Sequence, residues 1–173
     1  MSVTTLPHTD QIWEWLSQVP DPEIPVISLT DLGIIRDVQW QGDTLVVTVT
    51  PTYSGCPATG IINLDIETAL RAHGIQKLEL KRQLAPAWTT DWITAEGREK
   101  LRAYGIAPPV DGTAADGVLA GRVARLRGGN LTIQCPRCES TKTEKVSQFG
   151  STPCKASYRC TDCLEPFDYF KCI

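Results

Sequence analysis

Apolar positions along the chain predict helix, two strands, helix, strand, helix. Ile12, Leu16 and Val19 repeat at helical spacing after Thr9, a capping residue type, and Pro20 ends the run. Residues 34–40 and 44–50 are rich in strand formers and are joined by Gln41-Gly42-Asp43, the pattern of a hairpin. Pro57 suits the first turn of a helix over 57–73, with Ile62, Ile66, Ala69 and Leu70 on one face and Gly74 as its stop signal. Residues 76–84 alternate as a third strand, and 94–104 read as a helix closed by Gly105. A helix covering a sheet in two layers follows, an α+β domain over residues 1–105.

Beyond it the periodicity stops. Residues 106–130 hold two adjacent prolines and five glycines, the composition of a linker. Residues 131–134 then lead into one Cys-x-x-Cys pair, 157–159 lead into a second, and 167–170 leave it. Short strands flanking two such turns predict a small β zinc-ribbon over 131–173.

At 173 residues the chain has room for one ordinary domain and a small one. It contains no apolar stretch approaching the roughly 18 residues of a membrane span and no Lys or Arg before Arg36, so a cytoplasmic protein that engages no membrane is expected. The net charge of -3 conceals an asymmetry: residues 1–117 carry 8 Lys/Arg and 15 Asp/Glu, whereas 118–173 carry 9 and 5. Four thiolates on a divalent ion would cut the C-terminal surplus to about +2, too little for a phosphate-binding surface even with Arg122, Arg125 and Arg127, so no nucleic-acid partner is expected.

Cys135, Cys138, Cys160 and Cys163 carry the chemistry of the tail. Zinc accepts four thiolates tetrahedrally, each Cys-x-x-Cys turn delivers two, and the 21 residues between the pairs leave room for a hairpin. So small a unit cannot bury enough apolar surface to stand alone, whereas structural zinc supplies on the order of 10 kcal/mol. An iron-sulfur cluster takes the same ligand set, and Cys154 and Cys172 keep that alternative open, although small buried hydrophobe is the plainer reading of both. A redox dithiol pair is the bland alternative.

Two features of the first domain invite a second site. Asp21-Pro22-Glu23-Ile24-Pro25 presents two carboxylates on a segment stiffened by two prolines. Cys56 precedes Pro57 and is expected at the cap of the central helix, where unpaired amides and the helix dipole favour a thiolate, with Gly55 leaving room for an approaching group. An inert, buried cap residue is the alternative. His73 reads as a helix C-terminal cap, and Trp88 and Trp92 read as core or interface aromatics, with a slight lean towards interface. No Ser-His-Asp set, phosphate loop or His-x-x-x-His pair occurs, so no enzyme is expected.

Asp21-Pro22-Glu23-Ile24-Pro25, Asp31-Leu32-Gly33 and the segment from Thr52 to Gly55-Cys56-Pro57 occur in the order seen in the cytosolic iron-sulfur assembly family that includes bacterial SufT, which this domain resembles. With Ala87-Trp88-Thr89-Thr90-Asp91-Trp92, Phe149-Gly150-Ser151-Thr152 and the run from Leu164 to Cys172, nearly the whole chain is similar to the PaaD family of bacterial phenylacetate degradation. The resemblance implies a non-catalytic accessory of the phenylacetyl-CoA epoxidase system that assists assembly of its iron-sulfur or di-iron centres. Its implied partners are the hydroxylase and reductase components and general iron-sulfur assembly proteins, with a homodimer left open. It also implies that Cys56, with Asp21 and Glu23, holds iron or a cluster transiently. The assembly family generally lacks the ribbon, so this role leaves Cys135 to Cys163 unexplained; a stable scaffold subunit of the oxygenase is the alternative function, and a thiol-disulfide enzyme a more distant one.

Overall fold

The computed structural model describes residues 6–110 and 132–171, and its first elements are a helix and a three-stranded sheet. Helix α1, Thr9–Leu16, buries Ile12 and Leu16. Its cap is His8 rather than Thr9: the Asp10 amide donates to His8 Nδ1 at 3.4 Å. The helix stops before Pro20, which instead bridges Ser28 across the proline-rich loop.

Strands β1, Ile35–Gln41, and β2, Thr44–Val49, form the expected antiparallel hairpin. Gln41 pairs with Thr44, leaving Gly42 and Asp43 as a two-residue turn whose first position has φ +64° and therefore suits glycine. Every β2 residue from Leu45 to Val49 is buried, because β2 is the central strand. Helix α2, Thr59–Ala72, buries Ile62, Ile66 and Leu70 and packs on α1, while α1 also packs on β1. His73 caps α2, and its ring stacks on Trp15 of α1 at 4.1 Å with the planes 1° apart. Strand β3, Leu78–Arg82, is shorter than expected and lies parallel to β2, a pairing that needs a crossover such as α2.

Two compact units emerge, Met1–Trp88 and Thr89–Ile173. Trp88 closes the first. It is 2% exposed and donates its indole N–H to the Leu32 carbonyl at 2.8 Å, so of the core and interface readings left by the sequence it takes the core one.

The second unit opens with a 3₁₀ turn, Thr90–Trp92, and helix α3, Ala95–Tyr104. Thr94 caps α3 by accepting the Gly97 amide at 2.9 Å, and Gly105 ends it at φ +94°. The helix was expected with residues 1–105, yet it groups with the C-terminal unit. The first residues of the expected linker are likewise structured: β4, Ile106–Ala107, pairs in parallel with β7, Pro166–Phe170. Strands β5, Thr143–Ser147, and β6, Lys155–Cys160, complete a sheet of order β4-β7-β6-β5. Residues 132–134, expected as a strand, lie outside the ladders. Ala107, Ile133, Ala156, Tyr158, Phe167 and Tyr169 form the ribbon core together with Cys135 and Cys160. The remainder of the expected linker from 111 on, with Arg122, Arg125 and Arg127, and also Leu131 and Cys172, lies outside the described residues. No described helix is long and apolar enough to cross a membrane.

Candidate metal centre and the Cys56 loop

Each Cys-x-x-Cys pair sits on a tight turn built to one plan. The amide of the first cysteine donates to the carbonyl five residues on, Cys135 to Ser140 and Cys160 to Glu165, both at 2.9 Å. The residue after the second cysteine adopts a left-handed backbone, φ +61° at Glu139 and +62° at Leu164. The turns meet with approximate two-fold symmetry: Cys135 Sγ lies 3.8 Å from Cys163 Sγ, and Cys138 Sγ lies 3.6 Å from Cys160 Sγ. All four sulfurs fall within 4.8 Å of one another. A tetrahedron with arms of about 2.3 Å has edges of about 3.8 Å, so the cage has the dimensions for one thiolate-bound ion.

Polar contacts lock the turns together at matching offsets. Arg137, two residues after Cys135, donates to Glu165, five residues after Cys160, at 2.8 Å. Asp162, two residues after Cys160, accepts from Ser140, five residues after Cys135, at 2.6 Å, and from Lys142 at 3.2 Å. These two contacts hold the Asp162 carboxyl below its ordinary range. Sequence reasoning missed this clamp, although opposite charges at equal offsets from the two pairs were a legible signal.

The sulfurs interact as a set. The Cys163 amide favours the Cys160 thiolate and, with the Asp162 amide and against the opposing effect of burial, brings its pKa down to about 7. At Cys138 the Ser140 amide acts in the same direction, but Cys163, burial, Cys160 and Cys135 outweigh it and push the thiol up to about 12. Amide donors aimed at sulfur favour thiolates, and sulfurs this close resist being thiolates together unless a cation lies between them. Cys154, by contrast, is buried away from this cage, in hydrogen-bond contact with Thr152 Oγ1 at 3.0 Å, as its reading as a small buried side chain anticipates.

In the first unit, Cys56 is half-buried in a turn between β2 and α2. It lies ahead of the helix cap instead of occupying it: α2 begins at Thr59, with Ala58 as its cap. The Cys56 amide donates to the Tyr53 carbonyl at 3.2 Å, and the Cys56 carbonyl receives the Thr59 amide at 3.2 Å and the Thr59 hydroxyl at 2.8 Å. This local turn consumes the backbone groups that a helix extending back to Pro57 would have used. A Cβ on Gly55 would meet no atom within 4 Å, so the approach to the thiol from that side is open.

The two loop carboxylates differ in setting. Asp21 is 7% exposed, and its Oδ1 accepts the amides of Glu23 at 2.9 Å and Ile24 at 2.8 Å. That bonding shapes the proline-rich loop, whereas Glu23 is exposed. Asp31-Leu32-Gly33 is also accounted for by structure: Asp31 accepts the Ser28 amide at 3.3 Å, the Leu32 carbonyl receives Trp88, and Gly33 turns at φ +68°. Among the described residues the C-terminal cysteines alone converge as three or more metal-ligand atoms; Asp21, Glu23 and Cys56 do not form such a set.

Residues 9–76 match the family described as iron-sulfur cluster assembly protein, and 120–171 match the PaaD zinc beta ribbon domain. An Escherichia coli K12 protein provisionally named as one of the subunits of 1,2-phenylacetyl-CoA epoxidase is 50% identical over 96% of this chain and 94% of its own length. A Porphyromonas gingivalis Fe-S protein maturation auxiliary factor is 33% identical, covering 53% of this chain and 89% of that protein. An iron-sulfur cluster carrier protein of Synechocystis is 38% identical over 42% of this chain and 21% of its own.

Proposed function

Because the chain belongs to the PaaD family, uniting an iron-sulfur assembly segment with a zinc ribbon, we propose that it assists assembly or maturation of the iron-sulfur or di-iron centres of a phenylacetyl-CoA epoxidase. It does so in the cytoplasm and without catalytic turnover of its own. The observation that carries this reading is the partly exposed Cys56 thiol, held in a hydrogen-bonded turn inside the segment that matches assembly proteins. Cys56 offers a soft, single-thiolate ligand that takes iron or a cluster in passing, because one protein ligand binds too weakly to keep it. In this reading Glu23, exposed on its stiff loop, joins it as a second ligand, while Asp21 contributes by shaping that loop.

The ribbon holds zinc through Cys135, Cys138, Cys160 and Cys163. When bound, zinc supplies folding energy rather than reactivity, because four thiolates leave it no open position. Sulfur separations of 3.6 and 3.8 Å favour a single ion over a cluster, whose several irons would spread the thiolates apart. The ribbon then serves as the docking module towards the hydroxylase or reductase.

The test is a Cys56→Ser chain expressed with the epoxidase. Iron content of the purified hydroxylase and reductase should fall relative to wild type. Fully metallated clients would refute the assembly role. A second reading, a resident scaffold component of the oxygenase, draws on the name of the Escherichia coli relative. It predicts stoichiometric co-purification with the hydroxylase whether or not Cys56 is present.

A further inference from the structure

Cys56 belongs to a stretch, 51–58, that no ladder and no helix holds in place. Gly55 adds backbone freedom, and the open space around it means that packing does not remove that freedom. The bonds from Cys56 to Tyr53 and Thr59 span three residues each, so they shape the turn without anchoring it to the sheet. Arg82 reaches the stretch from the sheet: its Nη2 donates to the Ser54 carbonyl at 2.6 Å across 28 residues of sequence. Arg82 is the last residue of β3 and pairs with Val49, the last residue of β2, while the Gln83 amide donates to the Val49 carbonyl at 2.9 Å. The guanidinium is thus rooted in the parallel ladder from which the loop departs.

We propose that Arg82 is a positioning residue for Cys56: by bonding the Ser54 carbonyl it sets where the thiol is presented to iron or to a cluster. This rests on the reading of Cys56 given above. The bond is exposed, so it contributes little to global stability. Its effect is concentrated on loop geometry, which sets the direction in which the thiol meets iron and the other donors that arrive with it. Lysine at 82 would keep the charge and one donor able to reach the same carbonyl, whereas alanine would supply neither.

The test uses the zinc-loaded full chain in four forms: wild type, Arg82→Ala, Arg82→Lys and Cys56→Ser. Ferrous iron is titrated anaerobically, with zinc content, thermal midpoint and amide exchange measured alongside. Expected for Arg82→Ala are unchanged zinc and thermal midpoint, faster exchange at the Cys56 and Thr59 amides, and iron affinity lower by about tenfold, the scale on which groups that orient a metal ligand act. Arg82→Lys should recover most of that loss. Wild-type iron binding or unchanged amide exchange in Arg82→Ala overturns the proposal, as does a lysine variant no better than alanine. A loss of zinc or of thermal stability in Arg82→Ala also overturns it, by marking a general folding role. Should Cys56→Ser bind iron as well as wild type, the assignment of Cys56 fails first and takes the role of Arg82 with it.

Discussion

Glu139 and Leu164 share one left-handed backbone conformation, φ +61° and +62°, each directly behind the second cysteine of its pair. Neither is glycine, so each turn carries the steric cost of a Cβ in that region. Both side chains are exposed, Leu164 by 59%, so little packing compensates. Glu139→Gly and Leu164→Gly should each stabilise the zinc-loaded ribbon by about 0.5 kcal/mol, once glycine's extra unfolded-state entropy is subtracted. Calorimetry should find the thermal midpoint of the second unit raised by about 2 to 4 °C; a fall in both variants would mean that the turns gain something from these side chains.

Removing a cage ligand should affect the second unit selectively. Cys138→Ser leaves three thiolates on the ion and removes part of a binding energy on the order of 10 kcal/mol. Zinc per chain should drop below stoichiometric, and amide protection across 132–171 should be lost while α1 and α2 stay protected. Retention of an ordered ribbon with no bound metal would contradict the coupling of metal to fold.

Metal loading should release protons, and more of them at lower pH. In the metal-free cage Cys138, pushed up to about 12, is a thiol at neutral pH, whereas Cys160, at about 7, is mostly thiolate at pH 8 and mostly thiol at pH 6. Zinc binds the thiolates, so protons compete with it, and affinity falls as pH falls through 7. Titration calorimetry in buffers of different ionisation enthalpy counts the protons expelled. A count independent of pH between 8 and 6 would be inconsistent with this ordering of the thiols.

Asp21 should behave as an architectural residue. Asp21→Ala strips the acceptor from two amides, at a cost of about 1 to 3 kcal/mol for buried partners. Asp21→Asn keeps a carbonyl oxygen at the same place and should recover most of it. Denaturant unfolding of the two variants decides the matter: equal loss in both would mean that the carboxylate's charge, and not the placement of its oxygen, holds the two amides.

The amino-acid sequence by itself determined the order of elements in the first domain, the hairpin turn at Gly42, the end of α3 at Gly105 and the four cysteines of the cage. These features are local: periodicity, turn chemistry and ligand spacing act over a few residues, and zinc asks only that two short turns meet. Tertiary structure decided the rest. Trp88 is buried because its indole finds a carbonyl 56 residues away, and Ile106–Ala107 is a strand because β7 offers it a ladder. The Cys56 loop is moored by an arginine that follows it by 26 positions. Each of these is a hydrogen bond between distant segments, whose partner no local pattern encodes and only the folded backbone supplies.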